Sequence, residues 1–336
     1  MRPLETLSIS LLFISFLFLL FDKERTKFLV LLFLTIVVVI IQYFSEGFRW
    51  QCYPYIYLLP TIYVCHRKQK NTIHLAIKSF LIMWFLLAII IPYIIPVFSL
   101  PKPQGKNTVG TETFHWVDST RLEWFTPEKP EDYREIMVQL WYPSSSQPSN
   151  KTEPYMDYID LRSKTIAAAG NLPSFFPSHL NLVKTNSYFQ IACLEQTLGI
   201  PVVVFSHGIT GSRHLHQVLF EHLSSQGYLV AAIDHSYDCN LAIFPDGRFA
   251  DYRSDITGEP DSITIRKQQL DTRSRDVIFV LDKLKQIQSG KINSMLNGKI
   301  NLRKIAVGGH SYGGATAILS ASRDDRVDAC FILDGW

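Results

Sequence analysis

The chain has 336 residues and a formal net charge of +3, which allows one sizeable domain with additional elements. Its five cysteines are dispersed and lack the paired spacing of a disulfide framework or a zinc site. We therefore predict no metal site, and the small charge excess, part of which lies between apolar runs, favours a membrane protein over a nucleic-acid-binding one.

The first hundred residues contain four apolar runs: Leu7–Phe21, Phe28–Phe44, Tyr53–Cys65 and Phe80–Phe98. About 20 apolar residues span a bilayer core, and the second and fourth runs come near that length. The third run is the shortest and contains Pro60, so it is either a span or a re-entrant or interfacial segment. We predict three or four transmembrane helices in residues 1–99. Two alternatives stay open: a signal peptide at the first run, and four buried helices of a soluble core.

Basic residues between the runs predict the orientation. The loops after the first and third runs carry Lys23, Arg25, Lys27, Arg67, Lys68, Lys70 and Lys78. Because such loops remain cytoplasmic, a four-span and a three-span arrangement both place residues from about Leu100 onward outside the cytoplasm. We predict a multi-pass protein of the cell membrane with an extracytoplasmic domain at residues 100–336.

The segment after the last apolar run begins the second domain. Leu100–Thr111 contains two prolines and two glycines and is interpreted as the exit from the membrane. Arg134–Pro143 predicts a strand. The polar loop Ser144–Pro154 contains a glycosylation sequon at residues 150–152. Residues 155–198 are interpreted as helical or irregular.

From Gly199 onward, predicted strands and helices alternate. The strands are Ile200–Gly208, Gly227–His235, Lys304–Gly309 and Val327–Gly335, and the helices cover about Leu215–Ser225, Ile263–Gln286 and Ala315–Ser322. The first of these strands is almost continuously apolar, as in a parallel sheet buried on both faces. The alternation predicts an α/β domain with an open, mostly parallel sheet.

Residues 309–313, Gly-His-Ser-Tyr-Gly, match the pattern G-x-S-x-G between a predicted strand and a predicted helix. In this pattern a strained turn projects the serine hydroxyl, and flanking glycines keep Cβ atoms out of the crowded turn. We predict Ser311 as a nucleophile. The alternative is a glycine-rich turn with an incidental serine.

An ester-cleaving serine needs two oxyanion donors and an acid that orients its base. The backbone N–H of Tyr312 follows the nucleophile, and the loop Ser206–Gly211 places Ile209 N–H as the second predicted donor. Asp334 ends the next predicted strand and is the predicted acid. The alternatives are an ordinary turn at Ser206–Gly211 and a capping role for Asp334.

Four motifs together resemble the plasma-type platelet-activating-factor acetylhydrolase family: PVVVFSHGITG, GYLVAAIDH, GGHSYGGATAI and FILDGW. The resemblance covers about Val109–Trp336 and excludes the membrane region. It implies an α/β-hydrolase fold with Ser311 as nucleophile, Asp334 as acid, and Ile209 and Tyr312 as oxyanion donors. It also implies hydrolysis of short or oxidised acyl chains from glycerophospholipids, without metal or other cofactor.

One family feature is not found. The family histidine lies downstream of the acid, and nothing follows Trp336 in the sequence. We expect the sheet to lack its last strands together with the base, and we expect little or no hydrolysis by residues 1–336 alone. His235 is a surrogate base to consider, His207 is expected to support the oxyanion loop, and the side chain of His310 is expected to point away from the hydroxyl.

These features favour a membrane-anchored serine esterase that acts on acetyl or short-acyl glycerophospholipids. One alternative keeps the fold and changes the substrate to small soluble esters. The other is a non-catalytic membrane protein in which a degraded hydrolase domain binds or senses a ligand.

Overall fold

The computed structural model describes residues 1–21, 24–68, 74–145 and 152–335. Most of the predicted sequon, together with Lys23 and Lys70, lies outside the described residues. The helices are α1 Pro3–Phe21, α2 Arg25–Glu46, α3 Tyr53–Lys68, α4 Leu75–Ile94, α5 Ile159–Ala169, α6 Gln217–Ser225, α7 Ser262–Gln288 and α8 Tyr312–Ala321. The strands are β1 Thr108–Leu122, β2 Tyr133–Ser144, β3 Thr152–Pro154, β4 Lys184–Phe189, β5 Ile200–Ser206, β6 Leu229–Asp234, β7 Leu241–Ile243, β8 Phe249–Asp251, β9 Ile300–His310 and β10 Ala329–Leu333.

The chain divides into two compact units. The first contains Met1–Ser99 and Ala167–Val183, and the second contains Leu100–Ile166 and Lys184–Trp336. Short 3₁₀ helices at Trp50–Cys52 and Phe176–Leu182 both belong to the first unit.

Helices α1 to α4 coincide with the four apolar runs and form the body of the first unit. In the described part of the chain, α1, α2 and α4 are long and apolar enough to cross a membrane. The helix α3 has 16 residues and continues through Pro60. Large apolar side chains such as Phe33 and Ile40 face outward and are exposed. A soluble protein rarely exposes apolar surface of this extent, which argues against the soluble-core alternative.

A buried ion pair joins the helix ends at one end of this bundle. Arg49 Nε donates to Glu5 Oε1 at 2.7 Å, and neither side chain is exposed to solvent. Arg49 also donates to the carbonyl of Ile95, just after α4, and Arg2 donates to the carbonyl of Glu46 at the end of α2. The starts of α1 and α3 therefore meet the ends of α2 and α4. The ends of α1 and α3 and the starts of α2 and α4 consequently lie at the opposite end.

The second unit is built on an eight-stranded sheet in the order β10-β9-β5-β6-β2-β1-β4-β3. The strands β10, β9, β5 and β6 are parallel, which confirms the prediction for this half of the sheet. The other half differs, because β2 is antiparallel to both of its neighbours and β3 is antiparallel to β4. The sheet is therefore mixed, with a parallel half that contains the nucleophile motif.

All predicted strands and helices from Arg134–Pro143 onward are present, with ends shifted by a few residues. The interpretation of residues 155–198 was wrong for β4, which pairs in parallel with β1. The sequence of β4, KTNSYF, is mostly polar and lies toward the outer side of the sheet, so its sequence lacks an apolar strand pattern. The strand β1 already begins within the segment interpreted as the membrane exit.

Helices cover both faces of the parallel half. Val202 and Val204 pack with Leu284 of α7 on one face, and Val203 and Phe205 pack with Phe220 of α6 on the other. This double burial explains the near-continuous apolar sequence of β5. The carboxyl ends of β5, β6, β9 and β10 meet at one edge, which is where open α/β sheets hold their sites.

Candidate active site

Ser311 lies at the junction of β9 and α8 in a strained backbone conformation, with φ 52° and ψ −120°. Such a conformation is rare for a residue with a side chain, and it is typical of functional turns. A Cβ atom at Gly309 would lie 2.0 Å from the carbonyl oxygen of Gly313, and one at Gly313 would lie 2.1 Å from the carbonyl oxygen of Ser206. Both glycines of G-x-S-x-G are therefore required because backbone occupies the space of a Cβ.

The loop after β5 approaches the nucleophile closely. A Cβ atom at Gly208 would lie 3.3 Å from Ser311 Cβ and 3.1 Å from His310 Nδ1. Within the described residues, the N–H of Ile209 makes no hydrogen bond, so it is available to a ligand oxygen. This is the property that an oxyanion donor requires.

Tyr312, whose N–H is the other predicted donor, is buried at the start of α8. Its hydroxyl donates to the carbonyl oxygen of Arg266 at 2.7 Å. Burial, reinforced by the charge of Asp238, raises the pKa of the Tyr312 phenol to about 12. The side chain is therefore a neutral, fixed anchor for the first turn of α8.

His207 supports the loop that carries Ile209. Its Nδ1 is 2.6 Å from the carbonyl oxygen of Gly208, and its Nε2 accepts the N–H of His235 at 3.3 Å. Complete burial, with the charge of Arg273 nearby, lowers the pKa of His207 well below its usual range. The ring is therefore neutral and donates through Nδ1. These two hydrogen bonds are consistent with the predicted role of His207 as a support of the loop.

Asp334 follows β10 with a φ of 49° and is exposed. The N–H of Ser311 donates to the carbonyl oxygen of Leu333 at 3.0 Å, so the chain reaches Asp334 directly beside the nucleophile turn. A Cβ at Gly314 would lie 2.5 Å from Ile332 Cγ2, which reflects how tightly α8 packs on β10. The roles of Ser311, Asp334, Ile209 and Tyr312 remain predictions that this arrangement permits.

The histidines that were considered as bases are engaged elsewhere. The Nδ1 of His235 is 2.9 Å from Asp276 Oδ2, and its Nε2 is 3.1 Å from Ser206 Oγ. Complete burial lowers the pKa of His235 to about 4. The ring of His310 packs against the ring of His216, with 5.0 Å between the centroids. Among the described residues, no histidine nitrogen forms a hydrogen bond with Ser311.

A buried charge network anchors the far side of the oxyanion loop. The N–H of Arg213 donates to Asp234 Oδ1 at 2.6 Å, and its guanidinium pairs with both Asp234 and Asp157. Ligand atoms of His207, Asp234 and Cys239 lie within 4.8 Å of one another. The arginine charge on Asp234 and the two hydrogen bonds of His207 disfavour a cation there.

Polar side chains of α7 that were not predicted from the sequence also lie at this edge. Arg273 and Asp276 are fully buried, and Arg273 donates to the carbonyl oxygen of His207. Although burial alone would raise the pKa of Asp276, the Arg134 guanidinium and the His235 hydrogen bond hold it well below its usual range. A signal was present, because positions 273 and 276 continue the helical stripe that becomes apolar at Val277 and Val280.

A sequence model of the family described as platelet-activating factor acetylhydrolase, isoform II, matches residues 98–336. A platelet-activating factor acetylhydrolase of Cavia porcellus is 28% identical over 257 residues, which cover 71% of this chain and 56% of the relative. A probable 1-alkyl-2-acetylglycerophosphocholine esterase of Arthroderma benhamiae is 28% identical and covers 71% of this chain and 59% of its own length. The chain thus spans somewhat more than half the length of these relatives.

A solved structure supports the fold. The ferulic acid esterase of Streptomyces cinnamoneus is 32% identical, with a TM-score of 0.53 over 69% of this chain and 61% of the esterase. This likeness and the mixed sheet of the second unit are consistent with an α/β-hydrolase fold.

We expect Gly313→Ala to disrupt the nucleophile turn, because the new Cβ would meet the Ser206 carbonyl oxygen 2.1 Å away. The free energy of unfolding should fall by about 3 kcal/mol or more, as measured by urea titration. Gly170→Ala is the control, since its Cβ would make ordinary contacts, with Leu172 Cδ1 at 3.4 Å and the Ala167 carbonyl oxygen at 3.8 Å. Equal stability of the two variants would contradict the close backbone approach.

We expect acid to destabilise the protein through His235. Its folded pKa of about 4 lies below the ordinary value of 6.5, so the unfolded chain binds more protons between these values. The contribution of the His235 ring to the free energy of unfolding is about 3 kcal/mol above about pH 6.5. It is lost as the pH falls toward about 4. His235→Gln should flatten the pH dependence of the unfolding free energy. An unaltered slope in His235→Gln would exclude this contribution.

Proposed function

The chain belongs to the platelet-activating factor acetylhydrolase, isoform II, family, and from this premise we propose that it is a serine hydrolase of carboxylic esters. The proposal rests on the strained Ser311 turn beside the N–H of Ile209, which makes no hydrogen bond within the part of the chain that the structure describes. A nucleophile and an unoccupied amide donor at one sheet edge are the two parts that acyl transfer needs first.

In the proposed reaction, Ser311 Oγ attacks the ester carbonyl while a histidine base takes its proton. The N–H groups of Ile209 and Tyr312 stabilise the oxyanion of the tetrahedral intermediate. The alcohol leaves with the proton from the histidine, and water then cleaves the acyl-enzyme by the same route. Asp334 orients the histidine, which the family resemblance assigns to a position downstream of the acid.

The proposed substrates are acetyl or short-acyl glycerophospholipids. The names of the two relatives above support this class, because both act on acetylated glycerophospholipid according to those names. A second candidate is a small soluble ester, which the likeness to a ferulic acid esterase favours. Catalysis of either kind uses the same nucleophile and donors.

We also propose that the first unit spans the cell membrane with four helices. The polar Glu5–Arg49 end and the opposite basic end support an up-and-down arrangement of α1 to α4. Because basic loops stay in the cytoplasm, the chain after Ile94 then begins outside the cytoplasm. An anchor of this kind confines the enzyme to the surface that holds lipid substrates.

We expect Ser311→Ala to abolish labelling by a fluorophosphonate probe and to reduce ester hydrolysis by about a thousandfold or more. The measurement uses the product of the complete reading frame in detergent micelles. Ser322→Ala, an exposed serine after the same helix, is the control and should label normally. A folded wild-type protein that resists the probe, as Ser311→Ala does, would favour the non-catalytic binding module.

The two substrate candidates are separated by rates on acetylated phospholipid and on short-chain nitrophenyl esters. A higher kcat/KM on the phospholipid supports the lipid substrate. A much higher kcat/KM on the soluble esters in the same micelles would favour the second candidate.

We expect a membrane-impermeant maleimide to label intact cells at Cys330, the exposed cysteine among the described residues. Cys330→Ser should remove this label. A cysteine introduced as Lys27→Cys in the Cys330→Ser background lies beside the first basic connection and should react only after permeabilisation. The reverse pattern of labelling would overturn the proposed orientation.

A further inference from the structure

Arg273 lies between the two chain segments that carry the proposed oxyanion donors. Its Nη2 donates to the carbonyl oxygen of His207, two residues before Ile209. Its guanidinium carbon also lies 5.1 Å from the centre of the Tyr312 ring. One side chain of α7 therefore contacts both the loop after β5 and the first residue of α8.

The cost of burying this charge suggests a role beyond stability. Arg273 is fully buried, and its nearest carboxylate, that of Asp238, is 3.5 Å away. Within the described residues, its Nε has no hydrogen-bond partner. A buried guanidinium with incomplete pairing is expensive compared with an apolar side chain of the same size. The burial of Arg273 is therefore not explained by a fully compensated ion pair.

The next polar residue on the same helix face reinforces this contact. Asp276 holds the ring of His235 at 2.9 Å, and the N–H of His235 donates to His207 Nε2. His207 in turn holds the carbonyl of Gly208. Two side chains of α7, three positions apart, thus fix the same loop, one through its backbone and one through the chain of rings.

We propose that Arg273 is a positioning residue that holds the N–H groups of Ile209 and Tyr312 in register for a developing oxyanion. The inference rests on the proposed function. The hydrogen bond fixes the peptide that leads into Gly208 and Ile209, and the cation–π contact fixes the Tyr312 ring at the start of α8. Donors held in place before the reaction stabilise charge that appears only in the transition state, so Arg273 acts on kcat more than on KM.

The test substitutes Arg273→Met in the product of the complete reading frame. We expect kcat to fall by about 10- to 100-fold while KM changes by less than about threefold, because displaced donors affect the transition state selectively. Affinity for a trifluoromethyl ketone, which forms an oxyanion on Ser311, should fall in parallel with kcat/KM. Arg273→Lys retains a donor but not the planar face, and it should recover only part of the loss.

Hydrogen exchange provides a readout that does not depend on activity. In Arg273→Met, amides at residues 207–212 and 311–314 should exchange faster, while those of the distant β1 and β2 should be unchanged. Arg275→Met is the matched control, because this arginine lies two residues along α7 with its side chain 58% exposed. We expect it to leave kcat and exchange at the wild-type level.

A double variant separates positioning from stability. Arg273→Met leaves the buried Asp238 carboxylate without its cation, so Arg273→Met with Asp238→Asn should regain stability without regaining kcat. Recovery of kcat in the double variant, or unchanged kcat and exchange in Arg273→Met, would overturn the inference. If the wild-type protein does not react with the fluorophosphonate probe, the proposed function fails. The exchange data then still decide whether Arg273 holds residues 207–212 and 311–314 in place.

Discussion

The backbone contact between the start of α8 and the end of β5 is the constraint on which the site depends. A Cβ at Gly313 would lie 2.1 Å from the Ser206 carbonyl oxygen, so the helix can approach the strand only with glycine at this position. The approach brings the turn at Ser311 against Gly208, and among the described residues the N–H of Ile209 has no hydrogen-bond partner. A looser contact would separate the nucleophile from its proposed oxyanion donors, since both groups are parts of the backbone.

The α7 helix stabilises this close approach at the edge of the sheet. Its second half presents Val280 and Leu284 to the apolar core, as an ordinary amphipathic helix does. Its middle presents Arg273 and Asp276 to the carboxyl ends of the strands, where backbone carbonyls and histidine rings need partners. The same helical stripe therefore changes from polar to apolar as it passes from the site into the core, because strand ends expose polar groups that strand middles satisfy within the sheet.

Buried polar side chains also have hydrogen-bond partners among the apolar helices of the first unit. Glu5 and Arg49 are both buried and pair with each other, and Arg49 also donates to the carbonyl oxygens of Pro92 and Ile95 at the end of α4. In a membrane such groups are tolerated when they face the interior of a bundle and compensate one another. In the proposed membrane arrangement, the pair would define the order of the helices more clearly than the apolar contacts do, because apolar side chains in lipid have little preference among neighbours.

The sequence by itself determined the elements with strong periodicity and the residues of the nucleophile turn. Apolar runs predicted α1 to α4. The alternation of strand and helix patterns from Gly199 predicted the parallel half of the sheet, because buried faces require apolar residues at fixed intervals. The G-x-S-x-G pattern predicted a strained turn at Ser311, which the backbone has, because the turn geometry restricts which residues can flank the serine. The strand β4 was not predicted because its sequence, KTNSYF, is mostly polar and has no apolar strand pattern.

Only the tertiary structure decided which distant side chains meet at the site. His207 lies 66 residues before Arg273, and nothing local indicates that the side chain of one contacts the carbonyl of the other. The buried pairing of His235 with Asp276 and Ser206 likewise depends on how α7 crosses the sheet. Local sequence restricts local backbone, whereas a hydrogen bond between separate elements is fixed by packing that the whole chain must complete.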